Sequence, residues 1–294
     1  MVKVDYLGRL GNNMFQYALG RYLAEEMGYE LGAYPLPFAA TKEKVDGNVF
    51  SEAIQQIGLF HIDVPAVIGN HTNRMVLLHG FFQNYKYYEP FMDRIRKWYE
   101  YSGFDHTLPE IRKDDVLIYV RLGDYADQNM HLAFPFYETA IKMSAPGRTF
   151  ISTDSKDHPF LRNFIPYNPI FLSGDSLLDL VTARLFKKIV LSCSTFSWWA
   201  AVLGRPEQVY FPIADKGLWS PDTMYAANGS RVQQDLRIDE PNYVYFYNCA
   251  IVSSERKDAG LIPLSEAHPE HFYLQKFSQH ALQFHQKTKA YWFI

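Results

Sequence analysis

The stretch VKVDYLGRLGNNMFQYALGRYLAEEMGYELGAY, residues 2–34, decides the fold class. Val2 to Tyr6 alternates apolar and polar residues and is β-branched enough to read as a strand. Leu7 to Asn13 follows as a loop with two glycines. Met14, Phe15, Ala18, Leu19, Tyr22, Leu23 and Met27 then recur at helical spacing, with Gly28 placed to stop the helix. Tyr29 to Tyr34 reads as a second strand. Strand, glycine turn, helix, strand is the repeating unit of an α/β protein.

The pattern restarts further on. Met75 to Phe82 is a buried-type strand, and Tyr88, Phe91, Ile95 and Trp98 share one face of a predicted helix over 87–101. The polar, turn-rich stretch from Gly103 to Asp115 is the candidate boundary. Strands are then expected at Val116–Val120, 148–152, 170–172, 189–192 and 209–212, with helices at 134–143, 177–186 and 195–203 between them. This order implies a mostly parallel sheet with ligands at the carboxyl ends of the strands. Tyr273, Phe277, Ala281 and Phe284 give the tail helical spacing. A length of 294 residues suits two compact units of about 150 residues each. The expected division is an N-terminal Rossmann-like domain over 1–112, a C-terminal domain over 113–260 and a helical tail over 261–294 that packs back on the first.

Composition narrows the function classes. The net charge of −3 argues against a general nucleic-acid binder, which would be strongly basic. Two cysteines, Cys193 and Cys249, make neither a disulfide framework nor a four-ligand zinc site. The start of the chain has no basic leader or long apolar run, and no apolar stretch is long enough to span a bilayer, so a cytoplasmic, reducing compartment is expected. His268, His271, His280 and His285 cluster in the tail without metal-ligand spacing. Aromatics reach 16%, which fits aromatic-heavy cores or faces that stack on bases and sugars.

Four segments carry chemistry. Gly8-Arg9-Leu10-Gly11-Asn12-Asn13 opens a helix, where free amides and the helix dipole suit a phosphate or a sugar hydroxyl; a plain βα turn fits equally. Tyr119-Val120-Arg121-Leu122-Gly123-Asp124 puts an arginine just past a strand. A guanidinium there can bridge phosphate oxygens and neutralise a pyrophosphate leaving group without a metal; an Arg121–Asp124 structural pair is the alternative. Thr153-Asp154-Ser155 ends another strand, where Asp154 can accept from a planar base edge or cap the next helix. Ser194-Thr195-Phe196-Ser197-Trp198-Trp199 starts a helix with hydroxyls and amides suited to phosphate, over a tryptophan pair that packs beneath.

Together these blocks resemble one family. Gly8 to Ala18 looks like the Gly-Gly-Leu-Gly-Asn-Gln-Met-Phe-Gln-Tyr-Ala opening of the family 11 glycosyltransferases, the α-1,2-fucosyltransferases. His79-Gly80-Phe81-Phe82-Gln83 is similar to their Glu-Gly-Tyr-Trp-Gln block, Tyr119 to Tyr125 to their His-x-Arg-Arg-Gly-Asp-Tyr, and Asp179 to Leu203 to their last block. The order and spacing match from residue 2 to about 215. Ser152-Thr153-Asp154-Ser155 also resembles a segment of the protein O-fucosyltransferases.

The resemblance implies a GT-B-like α/β fold, with two Rossmann-like domains and the active site in the cleft between them. It implies a GDP-fucose donor, a glycan acceptor, inversion at the anomeric carbon, and no metal or other cofactor. Carried over, Arg121 and Asp124 are the catalytic candidates. Gly11, Asn12, Tyr119, Asp154, Ser194, Thr195 and Phe196 complete the donor site, Asp154 reading the base. Tyr119 stands where the family has His, and Leu122 where it has a second Arg. These departures leave a UDP-pentose or another GDP-sugar as the alternative donor, and a glycan-binding protein without catalysis as the alternative from another class.

Overall fold

The structure, a computed structural model, describes residues 1–33, 36, 54–57, 62–70, 75–100, 108–216, 219, 235–252 and 289–292. Internal contacts divide these into two units. The first holds the described residues up to 100 together with 235–237, and the second holds the others. The predicted tail helix and its histidines lie outside the described residues.

The first unit is a parallel sheet with helices. Strand β1 (Val2–Asp5) leads into α1 (Leu10–Met27), then β2 (Leu31–Gly32), β3 (Ile54–Ile57), α2 (Val64–Gly69), β4 (Met75–His79) and α3 (Met92–Trp98). The sheet order is β2-β1-β4-β3 with every pairing parallel. Of the residues read at helical spacing, Met14, Phe15, Ala18, Leu19 and Leu23 are fully buried in α1 and Met27 is buried, whereas Tyr22 is half-buried.

One predicted helix is broken. Over 87–101 the chain makes two 3-10 turns, Tyr85–Tyr87 and Glu89–Phe91, before α3 begins. The Asn84 side chain accepts from Lys86 N–H at 3.0 Å, and Pro90 has no amide to carry a helix through.

The second unit runs β5 (Val116–Val120), α4 (Gly123–Asp127), α5 (Phe134–Ser144), β6 (Thr149–Thr153), β7 (Ile170–Phe171), α6 (Ser176–Ala183), β8 (Lys188–Val190), α7 (Thr195–Gly204), β9 (Gln208–Ala214), β10 (Tyr243–Cys249) and β11 (Lys289–Trp292). These make a seven-stranded sheet in the order β11-β10-β9-β8-β5-β6-β7, again with every pairing parallel. Burial follows from that topology, since parallel strands are covered on both faces. Every residue of β5 and β6 is buried. Trp198 and Trp199, fully buried on α7, meet edge to face with centroids 4.9 Å apart. Cys193 and Cys249 are buried free thiols. No described helix is long and apolar enough to cross a membrane.

Candidate functional site

Sheet order alone locates a site in the second unit. From β5 the chain moves outward to β6 and β7, then returns to the other side of β5 for β8, β9 and β10. The reversal point lies between β5 and β8, and open α/β sheets bind ligands at the carboxyl ends of strands there. Arg121 is the first residue past β5, and Ser192 to Thr195 follows β8 into α7. The sheet thus brings together two segments whose first residues, Arg121 and Ser192, are 71 apart in sequence.

Arg121 is held by two carboxylates. Its Nη1 donates to Asp154 Oδ2 and its Nη2 to Asp124 Oδ1, and the guanidinium carbon stands 5.2 Å from the Tyr125 ring centroid. Asp154 Oδ1 also accepts from Leu122 N–H at 2.9 Å, so the turn after β5 is wrapped around that carboxylate. Gly123 completes it: its φ is +33°, and a Cβ there would lie 2.5 Å from Asp154 Oδ2. Two of the five N–H groups of Arg121 serve these carboxylates, and its side chain is 17% exposed. A guanidinium held this way is aimed before any anion arrives.

On the β8 side, Ser197 ties down the turn into α7. Its Oγ donates to Ser194 O at 2.8 Å and accepts from Ser192 N–H at 3.3 Å. Ser194, Thr195 and Phe196 are half-buried at the helix start. The Ser194 side chain makes no capping hydrogen bond to the helix.

Tyr119 is buried on β5, edge-on to Phe196 with centroids 5.9 Å apart, and its hydroxyl has no hydrogen-bond partner among the described residues. Burial, with the Asp179 charge behind it, pushes that hydroxyl well above the ordinary tyrosine range, so it stays a neutral donor.

Asp179 opens the last of the sequence blocks, where the reading gave it no role of its own. It is buried on α6, where Oδ2 accepts from Ser152 Oγ at 2.8 Å and Oδ1 from Ser173 Oγ at 2.7 Å and Gly174 N–H at 3.2 Å. One carboxylate therefore joins β6, the loop after β7 and α6. The signal was an acidic residue set among Leu177, Leu178 and Leu180, where an exposed helix face would not need leucines.

The loops after α4 and after β6 meet through histidines. The His131 ring lies edge-on to Phe160 at 5.0 Å and to His158 at 6.0 Å, and its Nδ1 has no partner among the described residues. Burial, and after it the His158 charge, lowers His131 to about 4. The unfolded chain would titrate near 6.5, so the folded value is depressed. The neutral ring's contribution to stability is full above about pH 6.5 and is lost as pH falls toward 4. His131→Phe is expected to flatten the acid side of the stability curve over that window, measured by urea unfolding at stepped pH. An unchanged slope would rule out His131 as its source.

The first unit has its own reversal point, between β1 and β4. The Gly8 loop sits there with φ +77°, and a Cβ on Gly8 would lie 2.2 Å from Asn12 Nδ2. Asn12 Oδ1 accepts from Gln83 Nε2 at 2.8 Å, so two of the sequence blocks meet directly. Fully buried Gln16 joins them again: its Nε2 donates to Gly80 O at 2.8 Å, and its Oε1 accepts from Leu7 N–H at 3.1 Å. Gly11 is buried in the first turn of α1.

A cavity of about 530 Å³ in the second unit, lined by Lys113, Asp114, Lys188, Glu207 and Asn242, opens at the amino ends of the strands. That is the wrong edge for ligand binding in this class of sheet. Its lysines are already bonded, Lys113 to Glu207 at 3.3 Å and Lys188 to Ser144 O at 2.7 Å. Among the described residues no three His, Cys, Asp or Glu side chains gather as a metal-ligand set.

No protein-family model matches the chain, and no curated protein does. Solved structures do. The chain is similar to an Arabidopsis thaliana FUT1 variant in complex with GDP, with TM-score 0.47 and 11% identity over 74% of this chain and 71% of that one. It is also similar to NodZ α-1,6-fucosyltransferase soaked with GDP-fucose, with TM-score 0.42 and 10% identity over 71% and 93% of the two chains. NodZ from Bradyrhizobium gives TM-score 0.41 and 10% identity over 71% and 94%.

Proposed function

We propose that the protein is a GT-B-type, inverting, metal-independent glycosyltransferase that moves L-fucose from GDP-fucose to a hydroxyl of a glycan. One observation carries the reading: Arg121 is clamped at the carboxyl edge of the β5/β8 reversal point, on the strand next to the start of α7. The bond to be broken joins the sugar to a diphosphate, and charge develops on the leaving oxygen. Arg121, with the amides and hydroxyls around Ser194 and Thr195, stabilises that charge in place. Asp124 and Asp154 orient Arg121. The engagement of Asp154 with Arg121 and Leu122 N–H favours this positioning role over reading a base edge. The second unit serves as the donor side and the first as the acceptor side.

Thermal shift tests the reading, because a ligand held only by the native state raises Tm, by about 2.7 kcal/mol of stability at a concentration 100 times Kd. GDP is expected to raise Tm and UDP to raise it less. A UDP shift larger than the GDP shift would move the donor to a UDP-sugar. A Tm unmoved by every nucleoside diphosphate would end the proposal.

A further inference from the structure

Strand β4 alternates as it leaves the first sheet. Val76, Leu78 and Gly80 are buried, whereas Leu77 and His79 are half-buried and Phe81 is exposed. That alternation puts His79 and Phe81 on one side of the strand. Asp5 is on the same side: it is the register partner of His79 at the carboxyl end of β1, and His79 Nδ1 lies 2.8 Å from Asp5 Oδ2. Both side chains reach solvent, His79 at 37% and Asp5 at 52% exposure. Among the described residues of the first unit, Phe81 is the only large apolar side chain left exposed, at 39%. The three residues stand at the carboxyl edge of the β1/β4 reversal point, where a parallel sheet takes ligands.

The chain on either side of Phe81 is pinned. Gly80 O accepts from the buried Gln16 side chain at 2.8 Å. Phe82 is buried with φ +53°, a left-handed conformation that a bulky residue keeps only where its surroundings hold it. The Tyr88 hydroxyl and the Asn84 N–H donate to Phe82 O at 2.8 and 2.9 Å. Gln83 O accepts from Asp235 N–H at 2.8 Å, and the Gln83 side chain donates to Asn12 Oδ1 at 2.8 Å. These bonds fix the backbone from which the Phe81 ring projects. A ring presented this way loses little freedom when a flat apolar face covers it.

We propose that Phe81 and the Asp5–His79 pair form a carbohydrate subsite, in which the ring stacks on the apolar C–H face of a neutral pyranose and the pair takes the hydroxyls at its edge. The chemistry selects the ligand. An apolar ring alone would suit any hydrophobe, but the polar pair on the same side calls for a partner that also carries hydrogen-bonding groups. A sugar hydroxyl both donates and accepts, so it suits this pair with the imidazole proton on either nitrogen. A lipid chain has nothing to offer the pair, and an anionic group would meet the Asp5 carboxylate. The inference deepens the glycosyl-transfer reading by naming what its acceptor side grips, and every residue in it belongs to the first unit.

The test uses the full chain, without nucleotide, and four neutral disaccharides: lactose, cellobiose, chitobiose and mannobiose. Saturation-transfer NMR is expected to show at least one of them bound with millimolar Kd, saturated chiefly at the C–H protons of one ring face. Phe81→Ala should weaken that binding about tenfold, and Phe81→Trp should keep it. Asp5→Asn, which keeps the shape and removes the charge, should weaken it less than Phe81→Ala does. The Tm shift given by GDP should stay at the wild-type value in all three variants. If Phe81→Ala folds poorly, Phe81→Leu, apolar but without a flat face, carries the same expectation. No saturation from any of the four sugars would overturn the proposal, as would an affinity unchanged when the ring is removed. The two readings fail separately. A disaccharide held at Phe81, with no Tm shift from any nucleoside diphosphate, keeps this subsite and ends the transfer reading; a GDP shift without disaccharide binding does the reverse.

Discussion

Arg121→Ala is expected to lower turnover about 10³-fold with the fold intact. Removing one fixed donor from a developing oxyanion ordinarily costs about 10²–10³ in rate. Arg121 supplies several N–H groups and a full charge, which places it at the upper end. Stability should hardly change, because the two carboxylates left behind, Asp124 and Asp154, are partly exposed and can be hydrated. The loss should fall mainly on kcat, since the charge it faces grows as the diphosphate departs. The Tm shift from GDP should shrink as well, because the diphosphate carries charge in the ground state too. Arg121→Lys should recover only part of the rate: an ammonium keeps the charge but not the planar fork that Asp124 and Asp154 grip. Wild-type kcat in the alanine variant would remove Arg121 from the mechanism and leave the Arg121–Asp124–Asp154 cluster as a structural strand-end clamp.

What the sequence showed and hid follows physical lines. Strands buried on both faces, such as Val116–Val120 and Thr149–Thr153, stand out as apolar runs between polar turns, and the structure places them within a residue of the reading. The helix α5 was legible from its periodic buried face, Phe136, Tyr137, Ala140 and Ile141, whereas α1 and α7, buried continuously over Met14–Gly20 and Ser197–Val202, were legible as longer apolar stretches after a turn. The strand Ile54–Ile57 was not, because two glutamines interrupt it and no periodicity survives in four residues. The strand Tyr243–Cys249 was apolar enough to be seen, but the sequence ahead of it carries no clear helical spacing, and the α/β rhythm stopped guiding the reading there. The positions of Arg121, Asp124, Asp154, Ser194 and Thr195 just past strand ends were readable. Pairings that depend on strand order were not. Asp5 and His79 are 74 residues apart in sequence and become neighbours only once the parallel register is known, and Asp179 and Ser152, 27 apart, only once α6 packs beside β6.

Asp179→Ala is expected to destabilise the second unit by about 2–3 kcal/mol and to weaken nucleotide binding with it. The cost comes from what the carboxylate leaves behind. The Ser152 hydroxyl is buried on β6 and would lose its acceptor, at a price of about 1–3 kcal/mol for an unsatisfied buried donor. Ser173 and Gly174 are exposed, so water can replace Asp179 there at little cost. Most of the loss should therefore trace to one serine, and a double-mutant cycle can show it. Ser152→Ala in the Asp179→Ala background removes the orphaned hydroxyl, so the double variant should be less destabilised than the sum of the singles. Additive losses in urea unfolding would mean the carboxylate acts through α6 alone. The functional consequence follows from position. Ser152 precedes Thr153 and Asp154, and Asp154 anchors both Arg121 and the Leu122 amide. Releasing the end of β6 loosens that anchor, so the GDP-induced Tm shift should fall in Asp179→Ala and recover in part in the double variant. A Tm shift that stays at the wild-type value while stability drops would show that the Arg121 clamp is held by its own turn, with no help from the buried carboxylate behind it.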